Sequence, residues 1–149
     1  MKVMYMKKFL VILIVILIIL SSVVYWLVTS RNKLAKAQAL NKQYEDYANI
    51  EILGTELISI INKTADINNK NEIEKDSNGY YIDNEENTIH IYIQFVYKNE
   101  TRVIQMEDIE KSGSENFVKM YSTASFKCTK IEHHDKTKNV KSLTFEEII

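Results

Sequence analysis

Three residues in this sequence have side chains suited to metal binding or nucleophilic attack and lie close together in the chain: Cys128, His133 and His134. A structural zinc site needs four ligands converging to about 2.0–2.3 Å from one ion. Ser125 to His133 reads as a strand, in which adjacent residues point to opposite faces. Cys128 and His134, although of like parity, are then about 20 Å apart at roughly 3.3 Å per residue. No metal site is expected from that spacing. The same residues would make a cysteine nucleophile with its base only if thiol and imidazole came within hydrogen-bond reach, and no helix amino terminus is placed to lower the thiol pKa. Cys128 is expected to be a half-buried structural thiol, and the histidines to sit where the strand enters a turn. Glu85-Glu86 and Glu146-Glu147 fall in a turn and near the chain end, where solvated charge is the default. There is no glycine-rich phosphate loop, G-x-S-x-G elbow or H-E-x-x-H helix. The sequence therefore assigns no catalytic residue, no metal ligand and no cofactor, and the chain is not expected to be an enzyme.

The elements that carry these residues follow a long apolar run. Of 149 residues, 20 are acidic and 19 basic; every Asp and Glu lies after Val28, whereas Lys2, Lys7 and Lys8 precede the run. The portion beyond Val28 thus carries sixteen basic against twenty acidic residues, a net charge of −4. That excludes a strongly basic nucleic-acid binder. One cysteine cannot close an intramolecular disulfide, so the domain must hold together by packing. Proline is absent and glycine scarce, while Ile, Lys and Asn abound, a bias of AT-rich bacterial genomes. Asn62-Lys63-Thr64 and Asn99-Glu100-Thr101 match the glycosylation sequon, which carries no weight in a bacterial chain.

Phe9 to Val28 reads FLVILIVILIILSSVVYWLV, without a charge. Twenty residues at about 1.5 Å each span roughly 30 Å, the thickness of a bilayer core. Tyr25 and Trp26 fit an interfacial aromatic belt. A cleaved signal peptide has a shorter apolar region, about 7–15 residues, so retention is expected despite weak cleavage patterns at Val28-Thr29-Ser30 and Ala35-Lys36-Ala37. With no cysteine after the run, a lipidated amino terminus is not expected. Flanking lysines and arginines nearly balance (Lys2, Lys7 and Lys8 against Arg31, Lys33 and Lys36), but a brief basic tail before a first apolar segment is the ordinary signal-anchor arrangement. The expected organisation is a cytoplasmic tail at 1–8, a transmembrane helix at 9–28 and an extracytoplasmic α+β domain at 29–149, in a cell membrane. The bilayer is the partner of residues 9–28. Nothing in the sequence sets an oligomeric state.

Beyond the membrane, Leu40, Tyr44, Tyr47, Leu57, Ile61 and Ala65 recur at three- and four-residue steps and predict one amphipathic helix, with Gly54 marking a bend or a close contact. Asp66 to Asn78 reads as a loop. Tyr80 to Asp83 is a short strand candidate, Asn84 to Asn87 a turn, and Thr88 to Lys98 a strand whose Ile89, Ile91, Ile93 and Phe95 should face the core through Leu57 and Ile61. Lys98-Asn99-Glu100 turns into a strand at Thr101 to Met106. Met106 to Lys111 makes one helical turn ended by Gly113, and Ser114 caps a helix through Tyr121. Ser125 to His133 and Val140 to Phe145, joined by Asp135 to Asn139, read as a hairpin. Charge segregates along this portion: Glu72 to Glu110 holds ten acidic residues against three basic, and Lys111 to Lys141 seven lysines against three acidic. A basic hairpin suits lipid headgroups or anionic wall polymers, but alternation puts Lys127 and Lys130 on opposite faces, which favours solvated sides.

The set Gly54-Thr55, Ile61-Asn62-Lys63, Gly79-Tyr80-Tyr81-Ile82, Phe126-Lys127-Cys128 and Phe145-Glu146-Glu147 resembles small uncharacterised membrane-anchored proteins of AT-rich Gram-positive bacteria. It covers most of the chain and implies no activity. The layout also resembles type IV pilins and pseudopilins, in which a long helix, membrane-spanning and then amphipathic, packs on a small antiparallel sheet. Those proteins have a glycine before the processed residue and a glutamate five positions into the mature helix, where this chain has Lys8 and Leu13. The leading expectation is a non-catalytic, membrane-anchored interaction or structural protein with protein partners in the envelope and no nucleic acid. The alternatives are a pilin-like subunit of an envelope secretion or pilus assembly, and an envelope-acting enzyme whose site is not identified.

Overall fold

The structure is a computed structural model that describes residues 2–97 and 100–148, with side chains from Lys8 onward. The chain forms two compact units, Met1–Ala39 and Leu40–Ile149. A helix, α1, runs Lys2–Glu45, so its end from Leu40 belongs to the second unit. From Lys8 it is long and apolar enough to cross a membrane; its most apolar 18-residue window has mean hydropathy 3.0 and none of that window is buried. Ser21 and Ser22 turn their hydroxyls back onto the carbonyls of Ile18 and Ile19 at 2.8 and 2.7 Å. Neither hydroxyl therefore needs a partner from an apolar surrounding. By length and composition this helix is a candidate membrane anchor or signal sequence.

The second unit is α+β. After α1 come β1 (Glu51–Leu53), α2 (Gly54–Lys70), β2 (His90–Tyr97), β3 (Glu100–Gln105), α3 (Met106–Ser112), α4 (Ser114–Tyr121), β4 (Ser125–His133) and β5 (Val140–Ile148). The strands form one sheet in the order β1-β4-β5-β2-β3. The antiparallel sheet expected from sequence is instead mixed, because β2 and β5 pair in parallel, with Ile91 beside Leu143 and Ile93 beside Phe145. Parallel neighbours require a long crossover, here made by β3, α3, α4 and β4. The isoleucine face of β2 lies inward as its alternation predicts: Ile91, Ile93, Leu143, Phe145, Leu57 and Ile61 are all fully buried in one core. Each such side chain contributes about 1.5–3 kcal/mol relative to exposure.

The amphipathic helix expected from Leu40 to Ala65 is two helices. The chain leaves α1 after Glu45, Asn49 turns through the left-handed region at φ 62°, and β1 adds to the sheet edge with Ile52 opposite Phe126. Both helical segments bury their apolar residues in the same core, which is why their spacings read as continuous. The Tyr44 hydroxyl and Thr64 Oγ1 meet across them at 2.8 Å.

Other elements shift for local reasons. Asp66 to Lys70 is helical, and Asn68 is buried because its side-chain amide takes the Ile89 N–H and donates to the Ile89 carbonyl, imitating a strand at the start of β2. Tyr80 to Asp83 makes no strand, only a bridge from Tyr81 to Lys75. Gly113 occupies the cap position of α4 and Ser114 the first helical one, with the Ser114 hydroxyl 3.4 Å from Asn62 Oδ1. A bulge between Cys128 and Lys130 shifts the register of β4, so Lys127 opposes Glu146 and Lys130 opposes Thr144. The two lysines therefore share the outer face rather than opposing ones. Lys98 and Asn99 of the expected turn lie outside the described residues.

Gly54 opens α2 where that helix meets the end of α4, and its N–H donates to the Ala124 carbonyl at 2.9 Å. A Cβ at this position would lie 1.9 Å from the Tyr121 carbonyl oxygen, a backbone atom that cannot rotate away. Alanine would gain about 1 kcal/mol of helix propensity, but overpacking costs about 1–3 kcal/mol or more. Gly54→Ala is expected to lower the urea midpoint of the detergent-solubilised chain. An unchanged or raised midpoint would refute the close approach.

Candidate functional site

The three residues with nucleophile or ligand chemistry are held apart, each by its own partners. Cys128 points inward opposite Phe145, and its Sγ–H donates to the Lys130 carbonyl at 3.7 Å. Burial pushes the thiol up from its ordinary value, against smaller lowering contributions from hydrogen bonds to the backbone of Lys130 and Thr144. A protonated, fully buried thiol is a packing residue. His133 Nε2 lies 3.1 Å from the Glu45 carboxylate. His134 is buried, with Nε2 donating to the Thr88 carbonyl at 2.8 Å and Nδ1 facing Asp83 at 3.7 Å. Both ring nitrogens of His134 thus face groups of the protein itself, leaving neither aimed at a substrate. No group of three or more His, Cys, Asp or Glu is arranged to hold a metal ion among the described residues.

His134 lies in a polar cleft of about 280 Å³ that joins the Asp83–Thr88 loop to the turn between β4 and β5. The charge blocks segregated along the sequence meet here. Lys141 pairs with Asp83 at 2.5 Å and Lys136 with Glu85 at 2.7 Å, while Thr137 and Asn139 both donate to the Glu86 carbonyl. Burial raises the Asp83 carboxyl, but the hydrogen bonds from Lys141 and the Glu85 N–H outweigh it and hold the group below the usual carboxylate range. Lys130, on the outer face, is engaged by Glu132 at 2.6 Å. The acidic and basic segments therefore neutralise one another within the fold, and these three lysines of the basic block are already paired.

Two buried polar atoms have no hydrogen-bond partner among the described residues, His90 Nδ1 and Glu107 Oε2. The other Glu107 oxygen accepts the Tyr81 N–H at 3.2 Å. Burial holds the His90 ring below its ordinary pKa, with Glu107 opposing the shift. Alternation with Ile89 and Ile91 puts His90 on the opposite strand face, and nothing local signals that Glu107, in the first turn of α3, is buried.

A second cleft is mostly apolar. At the β3 end of the sheet a groove of about 500 Å³ runs between β2, β3, α3 and α4. Its floor is an aromatic cluster in which the Tyr121 ring lies tilted against those of Phe95 and Phe117, with centroids 5.0 Å apart in each pair. Met120 and Tyr97 stand at its rim, 68% and 66% exposed. Arg102 and Ile104 of β3 line the side. β3 is the terminal strand of the sheet, so its outward N–H and C=O groups have no strand opposite them among the described residues. Sequence reading identified β3 and α4 as elements but did not bring Tyr97, Met120 and Tyr121 together, since their meeting depends on how α4 crosses the sheet.

Loss of Asp83 ionisation predicts an acid-sensitive domain. A folded-state pKa below the unfolded one contributes stability that is present above the ordinary carboxylate range, near about pH 4, and is lost as pH falls through the depressed value. Asp83→Asn is expected to flatten the decline in thermal midpoint between neutral pH and about pH 3. An identical decline in both proteins would remove Asp83 from the acid response.

Compared with known proteins, the chain matches no family model, no curated protein and no solved structure.

Proposed function

We propose that this chain is a non-catalytic interaction protein of the bacterial envelope, anchored by residues 9–28, with the tail in the cytoplasm and the α+β domain outside. Its partner is an extended segment of an envelope protein that adds to β3 as a sixth strand and sets a large apolar side chain into the adjoining groove. The observation that carries this reading is the juxtaposition of an open strand edge with an aromatic-floored groove. Strand addition uses those two features together: main-chain hydrogen bonds supply affinity, and pockets for alternate side chains supply specificity. Further support comes from Cys128 and His134, whose reactive atoms are occupied within the fold.

Peptides selected from a random displayed library on the full chain in nanodiscs are expected to be extended, with apolar residues at every second position. They should weaken at least about tenfold on Met120→Glu, a change at an exposed rim position, and be unaffected by Lys130→Glu on the outer sheet face. Failure to select any binder, or binders indifferent to Met120→Glu, would overturn strand addition at this edge.

The outward placement of the domain rests on the brief basic tail ahead of the first apolar segment, the ordinary signal-anchor order. Protease added to intact cells stripped of their wall is expected to digest Arg31 to Ile149. Full protection would put the domain in the cytoplasm and with it any partner.

A further inference from the structure

From Met1 through Tyr44 the chain contains no acidic residue. Within that stretch Arg31, Lys33 and Lys36 follow closely on the apolar run, in α1 and exposed. None of the three forms a salt bridge among the described residues. The first carboxylate after them, Glu45, is nine residues beyond Lys36, roughly 13 Å along a helix, and is already engaged by His133. Helical rise puts Arg31 about 4–5 Å, Lys33 about 7–8 Å and Lys36 about 12 Å past Val28. Those distances are comparable to the Debye length of about 8–10 Å at ordinary salt.

The angular distribution of these cations discriminates between partners. At 3.6 residues per turn, Lys33 stands about 160° around the axis from Arg31, and Lys36 about 140°. A protein docking on one side of the helix meets only part of the set. A headgroup layer through which the helix passes surrounds it and meets all three. Tyr25 and Trp26, whose amphipathic rings favour headgroup level, sit immediately before them.

We propose that Arg31, Lys33 and Lys36 form a collar that gathers anionic phospholipid headgroups in the leaflet through which α1 leaves the bilayer. This rests on the reading of residues 9–28 as a membrane span. The collar secures the far end of the span electrostatically, the counterpart of Lys2, Lys7 and Lys8 before the apolar run.

Trp26 is the sole tryptophan and lies five residues before Arg31, so it reports on lipids at the collar. The full chain is reconstituted into phosphatidylcholine vesicles, and into vesicles that also contain phosphatidylglycerol, with insertion checked by flotation and resistance to alkaline extraction. Energy transfer from Trp26 to dansyl-labelled phosphatidylglycerol is compared with transfer to dansyl-labelled phosphatidylcholine at equal mole fraction. The expected result is about fivefold local enrichment of the anionic lipid, the equivalent of one such contact, reduced by high salt and abolished in the Arg31→Gln/Lys33→Gln/Lys36→Gln variant. That variant keeps Lys2, Lys7 and Lys8, so the difference isolates the collar. Equal transfer to both lipids, or an excess that survives the triple substitution, overturns the proposal while leaving the span intact. A chain that is extracted by alkali from neutral vesicles overturns the span reading and the collar with it.

Discussion

β5 is hydrogen-bonded on both sides, antiparallel to β4 and parallel to β2, and the rest of the domain depends on that double pairing. Without β5, the β2–β3 hairpin and the β1–β4 pair would be two separate ribbons, and two-stranded ribbons are at best marginally stable in water. Its inward residues Leu143 and Phe145 are fully buried against Ile91 and Ile93, and its outward residues Ser142 and Thr144 are buried as well because a strand flanks each side. A parallel partner cannot follow through a tight turn. The crossover it demands brings α4 against α2 and makes β3 the edge of the sheet. The open edge, the groove beside it and the close approach at Gly54 are thus consequences of where the last strand is inserted.

The same insertion explains how the charge distribution resolves. Placing β5 beside β2 brings the turn that precedes β5 against the loop that precedes β2, so Lys136 and Lys141 meet Glu85 and Asp83. Charges that form separate blocks along the chain become short-range pairs in the fold. These exposed or partly exposed pairs add little stability individually, but they neutralise Lys136 and Lys141 locally. Arg31, Lys33 and Lys36 of α1 form no such salt bridge among the described residues, unlike Lys136 and Lys141, although sequence composition treats them alike.

What was legible in the sequence was local. The isoleucine alternation of β2 located both the strand and its buried face, β4 was delimited correctly, and the apolar run identified the candidate membrane helix. β1 was hidden because three residues carry no detectable period, and because Tyr44 and Leu57 happen to continue one helical spacing across it. Asn68 was hidden in an asparagine-rich stretch, since its amide satisfies the backbone of Ile89 from a helix that composition alone ends too early. The bulge in β4 put Lys127 and Lys130 on one face instead of the expected two, and no residue type announces it. Parallel pairing between strands some fifty positions apart has no local signature at all. For the site, sequence dismissed Cys128 with the histidines on spacing, but the groove required tertiary placement of α4.

Amide hydrogen exchange on the full chain in nanodiscs, resolved residue by residue, tests most directly the claim that β5 closes the sheet and leaves β3 open. The amides of β2 and β5 should exchange together and only through global unfolding, whereas alternate amides of β3 should exchange rapidly because they face no strand. Loss of protection in β5 before the β2–β3 hairpin opens, or uniform protection along β3, would contradict the account.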